Sequence, residues 1–270
     1  MEPRWLSAAL GLALIVAAEA GAQPVPTPAG SSETRSDWNV SAGYSTFAFR
    51  DIAITGIPMD GSPTSLDGGG PALGGRYERS SRGRRHRFDV TFARASGLEY
   101  VTTVARTAVP AADRAVRLEG TYDFRAYPAR DVFVSGLDLG VGVQTGLAWR
   151  SLSRRYAPAI DHSRSEREAG VAGVVAARIG RWPRAELEVA WTAGLAIARS
   201  SQTHTGDSGV DVDYWGGGWR SDLAFEGRLP IAGHTHLGGR YVLGRIWRMS
   251  NHHTYSSGHG QLTFGVLYVR

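Results

Sequence analysis

The chain has 270 residues, 30 Lys+Arg against 25 Asp+Glu for a net charge of +5, 35 Gly and no Cys. Without cysteine there is no disulfide framework, thiolate metal site or cysteine nucleophile, and the sequence holds no apolar run of the roughly 18 residues that a spanning helix requires. The basic balance does not mark a nucleic-acid partner, because the arginines alternate along apolar segments or sit in turns and build no basic stripe with interleaved aromatics.

Met1–Arg4 is a short charged start, Trp5–Ala18 is apolar, and Ala20-Gly21-Ala22 is a small-x-small site. This order predicts a cleaved signal peptide over 1–22. Residues 23–36 (QPVPTPAGSSETRS) offer almost nothing to bury and predict a flexible lead-in. One domain is expected over 37–270.

The strongest signal in that domain is Val132–Arg150, VFVSGLDLGVGVQTGLAWR. Phe133, Leu137, Leu139, Val141, Val143, Leu147 and Trp149 alternate with Gly136, Asp138, Gly140, Gly142, Gln144, Gly146 and Arg150. A period of two with one greasy face is a strand, and this one is far longer than the roughly five or six residues usual in soluble sheets. A transmembrane strand needs about 9–11 tilted residues plus whatever projects into water. Nine further segments follow the same template: 38–50, 71–79, 86–100, 116–127, 170–180, 185–199, 219–229, 235–247 and 260–270. The links alternate between tight turns (80–85, 128–131, 181–184, 230–233) and long polar stretches (51–70, 101–115, 151–169, 200–218, 248–259). Short turns on one side and long loops on the other predict an all-β fold, an antiparallel up-and-down transmembrane β-barrel of about ten strands with both termini on the short-turn side.

On this template the inward acids are Glu78, Asp89, Glu119, Asp123, Asp138, Glu186, Glu188, Asp222 and Glu226. The inward bases are Arg76, Arg87, Arg117, Arg125, Arg150, Arg178, Arg220, Arg228 and Arg240. Unpaired buried charge is very costly, so the two sets are expected to neutralise each other across a narrow bore and largely fill it. Outward aromatics near segment ends (Trp38, Tyr77, Phe88, Tyr122, Phe124, Phe133, Trp149, Trp191, Trp219, Phe225, Tyr241, Phe264, Tyr268) are expected to form interfacial girdles.

With these segments in place the chain resembles the bacterial outer-membrane β-barrel proteins over nearly all of 37–270. Its end, Leu262-Thr-Phe264-Gly-Val266-Leu-Tyr268-Val-Arg270, looks like the C-terminal strand by which that class is recognised for assembly, with Arg270 where an aromatic is usual. The resemblance implies an outer-membrane location in a Gram-negative-type bacterium. It also implies periplasmic chaperones and the barrel-assembly machinery as partners in biogenesis, and membrane lipid and lipopolysaccharide as surroundings.

The long links carry residues for three kinds of chemistry. Ten strands is the size of the omptin proteases, whose resemblance implies paired aspartates plus an Asp and a His at the extracellular rim. Here His204, Asp207, Asp211 and Asp213, with Asp161 and His162, are the candidates for a general base acting on water. The stretch 101–115 offers only Asp113, and the family's Asp-x-His arrangement is missing. Arg248-Met249-Ser250-Asn251 resembles the His-x-Ser-Asn element of outer-membrane lipid A deacylases, with Arg248 in place of the base. Arginine takes no proton near neutral pH, so Ser250 would depend on His252 or His253. Oxygen ligands (Asp207, Asp211, Asp213) or imidazoles (His204, His252, His253, His259) match no dedicated metal-loop spacing. The reading is therefore a monomer without cofactor or metal, non-enzymatic, with a structural or surface-interaction role through its long loops. A rim hydrolase and a narrow channel are the alternatives. Arg154, Arg155, Arg164 and Arg167 are expected to pair with lipid phosphates.

Overall fold

The computed structural model describes residues 34–53, 64–81, 83–96, 99–102, 108–110, 114–130, 132, 136–157, 160–182, 185–205, 212–249 and 253–269. The expected leader lies outside the described residues, and the first strand begins at Arg35, inside the stretch read as a lead-in. Twelve strands run through the described residues: β1 (Arg35–Ala53), β2 (Thr64–Ser81), β3 (Arg84–Ser96), β4 (Glu99–Thr102), β5 (Ala108–Pro110), β6 (Arg114–Ala129), β7 (Leu137–Ala157), β8 (Ile160–Trp182), β9 (Ala185–Thr205), β10 (Val212–Ala232), β11 (Thr235–Met249) and β12 (His253–Val269).

All neighbours pair antiparallel, and β1 pairs with both β2 and β12, so the sheet closes on itself. Ten long strands make the wall. The short β4 takes over from β3 as the partner of β2, with Asp67 opposite Glu99, and β5 pairs with β4. Following direct cross-strand partners once around from Trp38 passes Tyr77, Phe88, Tyr122, Thr145, Val171, Leu195, Trp219, Trp247 and Ser256. The path returns to β1 at Arg50, twelve positions beyond Trp38. A ten-strand wall with that offset tilts its strands by about 40° and has a backbone radius of about 10 Å.

The period of two decides which side each residue takes. Along β3 exposed and buried residues alternate almost without interruption. Leu147 on β7 is 69 % exposed and Val40 on β1 is 77 % exposed, whereas the lumenal Arg85, Arg87 and Asp123 are at most 2 % exposed. A greasy outside around a charged inside suits hydrocarbon as the solvent. Outward aromatics gather at both edges of the apolar band. Toward the short turns, Tyr268, Trp38, Tyr77, Phe88 and Tyr122 are successive cross-strand partners, with ring centroids 4.7 Å apart at Trp38–Tyr77 and at Phe88–Tyr122. Toward the opposite end stand Trp149, Trp219 and also Trp215 and Trp247, two rings the template omitted. Phe133 lies outside the described residues.

Several boundaries differ from expectation. The strand read as Val132–Arg150 begins at Leu137, after a turn at Gly136 whose φ of 90° suits glycine. It then runs on to Ala157. The stretches read as long loops are mostly strand: β8 begins at Ile160, β9 reaches Thr205, β10 begins at Val212, and 101–115 contains β5. Past the hydrocarbon both faces meet water, so the apolar alternation stops while backbone pairing continues.

Inward glycines let neighbouring backbones approach on the concave side. A Cβ at Gly194 would stand 2.6 Å from the Ala172 Cβ and closer still to the Val171 carbonyl oxygen, whereas one at Gly120 would meet nothing within 4 Å. Gly194→Val is expected to destabilise the barrel by about 1–3 kcal/mol, and Gly120→Ala to leave it unchanged. Urea titration of the folded, heat-modifiable band in vesicles checks both; equal midpoints would mean that β8 and β9 do not approach so closely.

Candidate functional site

The inward positions of nearly every stave carry ionisable groups, and the tilt brings them into two layers. The layer nearer the short turns is built from strand ends. Arg228 on β10 donates to Glu78 on β2 at 2.6 Å and to Asp37 on β1 at 3.1 Å, and it lies 3.0 Å from Glu226 on its own strand. Arg76 on β2 pairs with Glu226 across the bore and with Asp89 on β3 at 2.6 Å. Arg87 on β3 touches Asp89 at 3.0 Å, Glu226 at 3.1 Å and Asp123 at 3.4 Å. Arg85 donates to Glu188 on β9 at 2.6 Å, Arg125 on β6 pairs with the same carboxylate, and the Tyr127 hydroxyl donates to it at 2.8 Å. Arg125 also holds Asp123 at 2.8 Å. At one side Arg178 donates to Asp138 at 2.9 Å and lies 4.3 Å over the Tyr127 ring, with Glu186 at 3.9 Å.

The second layer lies toward the opposite end. Arg220 on β10 reaches Glu119 on β6, Asp222 at 2.7 Å and Glu168 on β8 at 3.5 Å. Arg150 on β7 faces Glu168 at 3.2 Å and Glu166 at 3.6 Å. Arg117 pairs with Glu119 and lies 3.3 Å from the His259 ring on β12, which in turn is 3.6 Å from Asp222. Between the layers, neutral Thr91, Thr121, Gln144, Thr192 and Gln261 line a cavity of ≈ 40 Å³, room for about three waters. Arg240 also lines it, and its Nε has no hydrogen-bond partner among the described residues.

The eighteen charged positions assigned to the lumen are thus joined by Asp37, Arg85, Glu166, Glu168 and His259, which sequence reasoning left out. Asp37 and Arg85 sit one residue outside the segments as drawn, and simple continuation of the period would have found them. Glu166, Glu168 and His259 fall in stretches read as loops; His259 is a lumenal residue of β12 and not a loop imidazole. Charge is sorted sharply between the two sides of the wall. Among the described side chains no carboxylate is exposed, while Arg79, Arg84, Arg94, Arg114, Arg130, Arg167, Arg199 and Arg245 are.

Among the described residues the register brings some of the catalytic candidates side by side and holds others apart. His204 on β9 lies directly opposite His162 on β8, whereas Asp213 on β10 lies opposite Ser201. The offset of three positions between His204 and Asp213 is about 10 Å along the strand. Asp211, Ser250, Asp207, His252 and Asp113 lie outside the described residues, as do the side chains of His204, Asp213, Arg154, Arg155 and Arg164. Among the described residues no three ligand-type side chains cluster as a metal site.

No family model matches the chain, and no curated protein matches its sequence. Among solved structures, the outer membrane protease OmpT from Escherichia coli aligns with a TM-score of 0.68 at 10% identity, over 90% of this chain and 99% of that one. The translocator domain of autotransporter NalP from Neisseria meningitidis aligns at 0.40 and 10% identity, over 86% and 88%. The outer membrane protein OprG from Pseudomonas aeruginosa aligns at 0.40 and 11%, over 87% and 95%. At such identities the likeness concerns architecture alone: this chain has the fold of the small outer-membrane β-barrels.

Removing one partner of a buried ion pair leaves the other charge uncompensated, which costs about 3–5 kcal/mol. Arg228→Met is expected to lose that much, because Asp37, Glu78 and Glu226 all lean on it, whereas Arg245→Met on the outer wall should stay within about 0.5 kcal/mol of wild type. Equal urea midpoints for the two variants would remove Arg228 from the centre of the layer.

Proposed function

We propose that this protein is a plugged outer-membrane barrel, a structural or surface-interaction element that holds paired strands outside the membrane and does not conduct solutes. The observation that carries this reading is the first charge layer. Arg228, Arg76, Arg87, Arg85 and Arg125 reach from one wall to carboxylates on another, so ion pairs cross a bore only about 20 Å wide between backbones. A solute would have to separate several buried pairs at once, each separation exposing uncompensated charge. The projecting hairpins support the display role: β7 and β8 stay paired from Trp149–Arg167 out to Ala157–Ile160. Their hydrogen-bonded ladder presents the extracellular segments on a stiff base. Periplasmic chaperones and the assembly machinery are the biogenesis partners that accompany this reading, and the monomer is its oligomeric form.

Planar-bilayer recording tests it. Wild type is expected to show no stepwise conductance in molar KCl, and a triple variant Arg87→Ala, Arg125→Ala, Glu226→Ala to show steps once the layer is cleared. Steps in the wild type would make the protein a channel. Cleavage of a fluorogenic peptide library or deacylation of lipid A by the refolded wild type would make it a rim hydrolase.

A further inference from the structure

One lumenal arginine stands outside the network of pairs. Each of the other lumenal arginines touches at least one carboxylate, whereas Arg240 on β11 has no ion pair or hydrogen bond among the described residues. Its direct partner across the β10–β11 ladder is Glu226, but that carboxylate is already held by Arg76, Arg87 and Arg228. Asp89, the acid whose field it feels most, is taken by Arg76 at 2.6 Å and by Arg87 at 3.0 Å. On the β12 side its partner is neutral Thr263.

The Arg240 side chain borders open space instead. It lines both the ≈ 40 Å³ cavity between the charge layers and a second cavity of ≈ 20 Å³ against β1, β11 and β12, and Asp89, Thr91 and Gln261 are common to the two. The wall of the larger cavity is positive: Arg87, Arg117, Arg125, Arg220 and Arg240 stand against Asp89, Glu119 and Asp222, five guanidiniums to three carboxylates. The acids that balance Arg87 and Arg125 from behind, Asp123, Glu188 and Glu226, do not line it. Neutral donors complete the wall, since the side chains of Thr91, Thr121, Gln144 and Gln261 are uncommitted among the described residues. Arg117 shares the condition of Arg240: the Nε of each is buried and without a hydrogen-bond acceptor among the described residues.

We propose that the cavity between the charge layers is an anion site in which Arg240 holds a small monovalent inorganic anion of the chloride class. Water accepts a hydrogen bond from a guanidinium but leaves its charge uncompensated, and an uncompensated buried charge is costly. An anion meets both demands through charge-assisted hydrogen bonds. Size and charge select the class. A single-atom anion takes the place of about one of the waters for which the cavity has room, whereas a divalent oxyanion would set its second charge against Asp89, Glu119 and Asp222. The inference rests on the packing of the lumen and not on the display role.

The test uses the full-length barrel refolded in maltoside micelles at one ionic strength, either in sodium chloride or in sodium gluconate, whose anion is too large for the cavity. The readout is the temperature at which the heat-modifiable band is lost. A ligand that binds only the folded state raises that temperature, and chloride is expected to raise it by about 2–4 °C over gluconate for wild type. Arg240→Gln removes the charge and should abolish the difference between the two salts, whereas Arg245→Gln on the outer wall should keep it. Wild-type crystals grown in bromide give a second reading that needs no variant, with an anomalous peak expected in the cavity beside the Arg240 guanidinium. Should Arg240→Gln fail to refold, that peak decides. An equal chloride shift in wild type and Arg240→Gln would overturn the proposal, as would a wild type indifferent to the choice of salt. Cavity density without anomalous signal in bromide would mean water alone and would overturn it too. The plugged reading is decided separately by the bilayer recording, so failure of the anion site and failure of the plug are distinguishable.

Discussion

Hydrocarbon offers no hydrogen-bond partner to a peptide group, and each unsatisfied backbone donor or acceptor there costs several kcal/mol. Every other feature of this molecule depends on that constraint. It forces the sheet to close between β1 and β12, and the offset of twelve positions around ten staves then sets tilt and girth together. A wall of that girth leaves an interior too narrow for bulk water and too wide to be filled by alanine and valine alone. Long side chains from opposite sides meet in the middle, and arginine against carboxylate is the pairing that fills the space while satisfying its own polar ends.

Such pairs contribute little net stability once desolvation is counted, so their worth lies in specificity. Each arginine of the first layer touches carboxylates on two or more staves, which ties the staves to one register: a shift of one position would turn every one of these charges into lipid. The same sorting explains the basic balance of the whole chain. Acids and bases nearly cancel inside, and the surplus of arginine is left on the outer wall at the edges of the apolar band.

The wall was legible in the sequence because hydrocarbon and lumen impose opposite demands on alternate residues; Leu139, Val141 and Val143 against Gly140, Gly142 and Gln144 state this directly. The lumenal charges followed from the same alternation. What escaped detection lies where the solvent on the two faces becomes alike. Glu166 and Glu168 belong to a strand whose outward neighbours there are Ser165 and Arg167, so no contrast marks them as inward. The step from β3 to β4 is equally silent, since it concerns how backbones pair and not which side chains are greasy. The isolation of Arg240 was invisible for another reason: Glu226 stands directly opposite it, and only the packing shows that Arg76, Arg87 and Arg228 hold that carboxylate.

The seam between β1 and β12 has a consequence for how the molecule is made. Ser45 and Gly260 are joined across it by a hydroxyl-to-carbonyl hydrogen bond at 3.2 Å, although 215 residues separate them in the chain. Contacts of such high order are entropically expensive to form early, so the hairpins must exist before the ends meet. Until they meet, two long strand edges stand open, and open edges are templates for aggregation. The pairing of β12 with β1 is therefore the step that ends this exposure, and it converts a vulnerable curved sheet into a cylinder without edges.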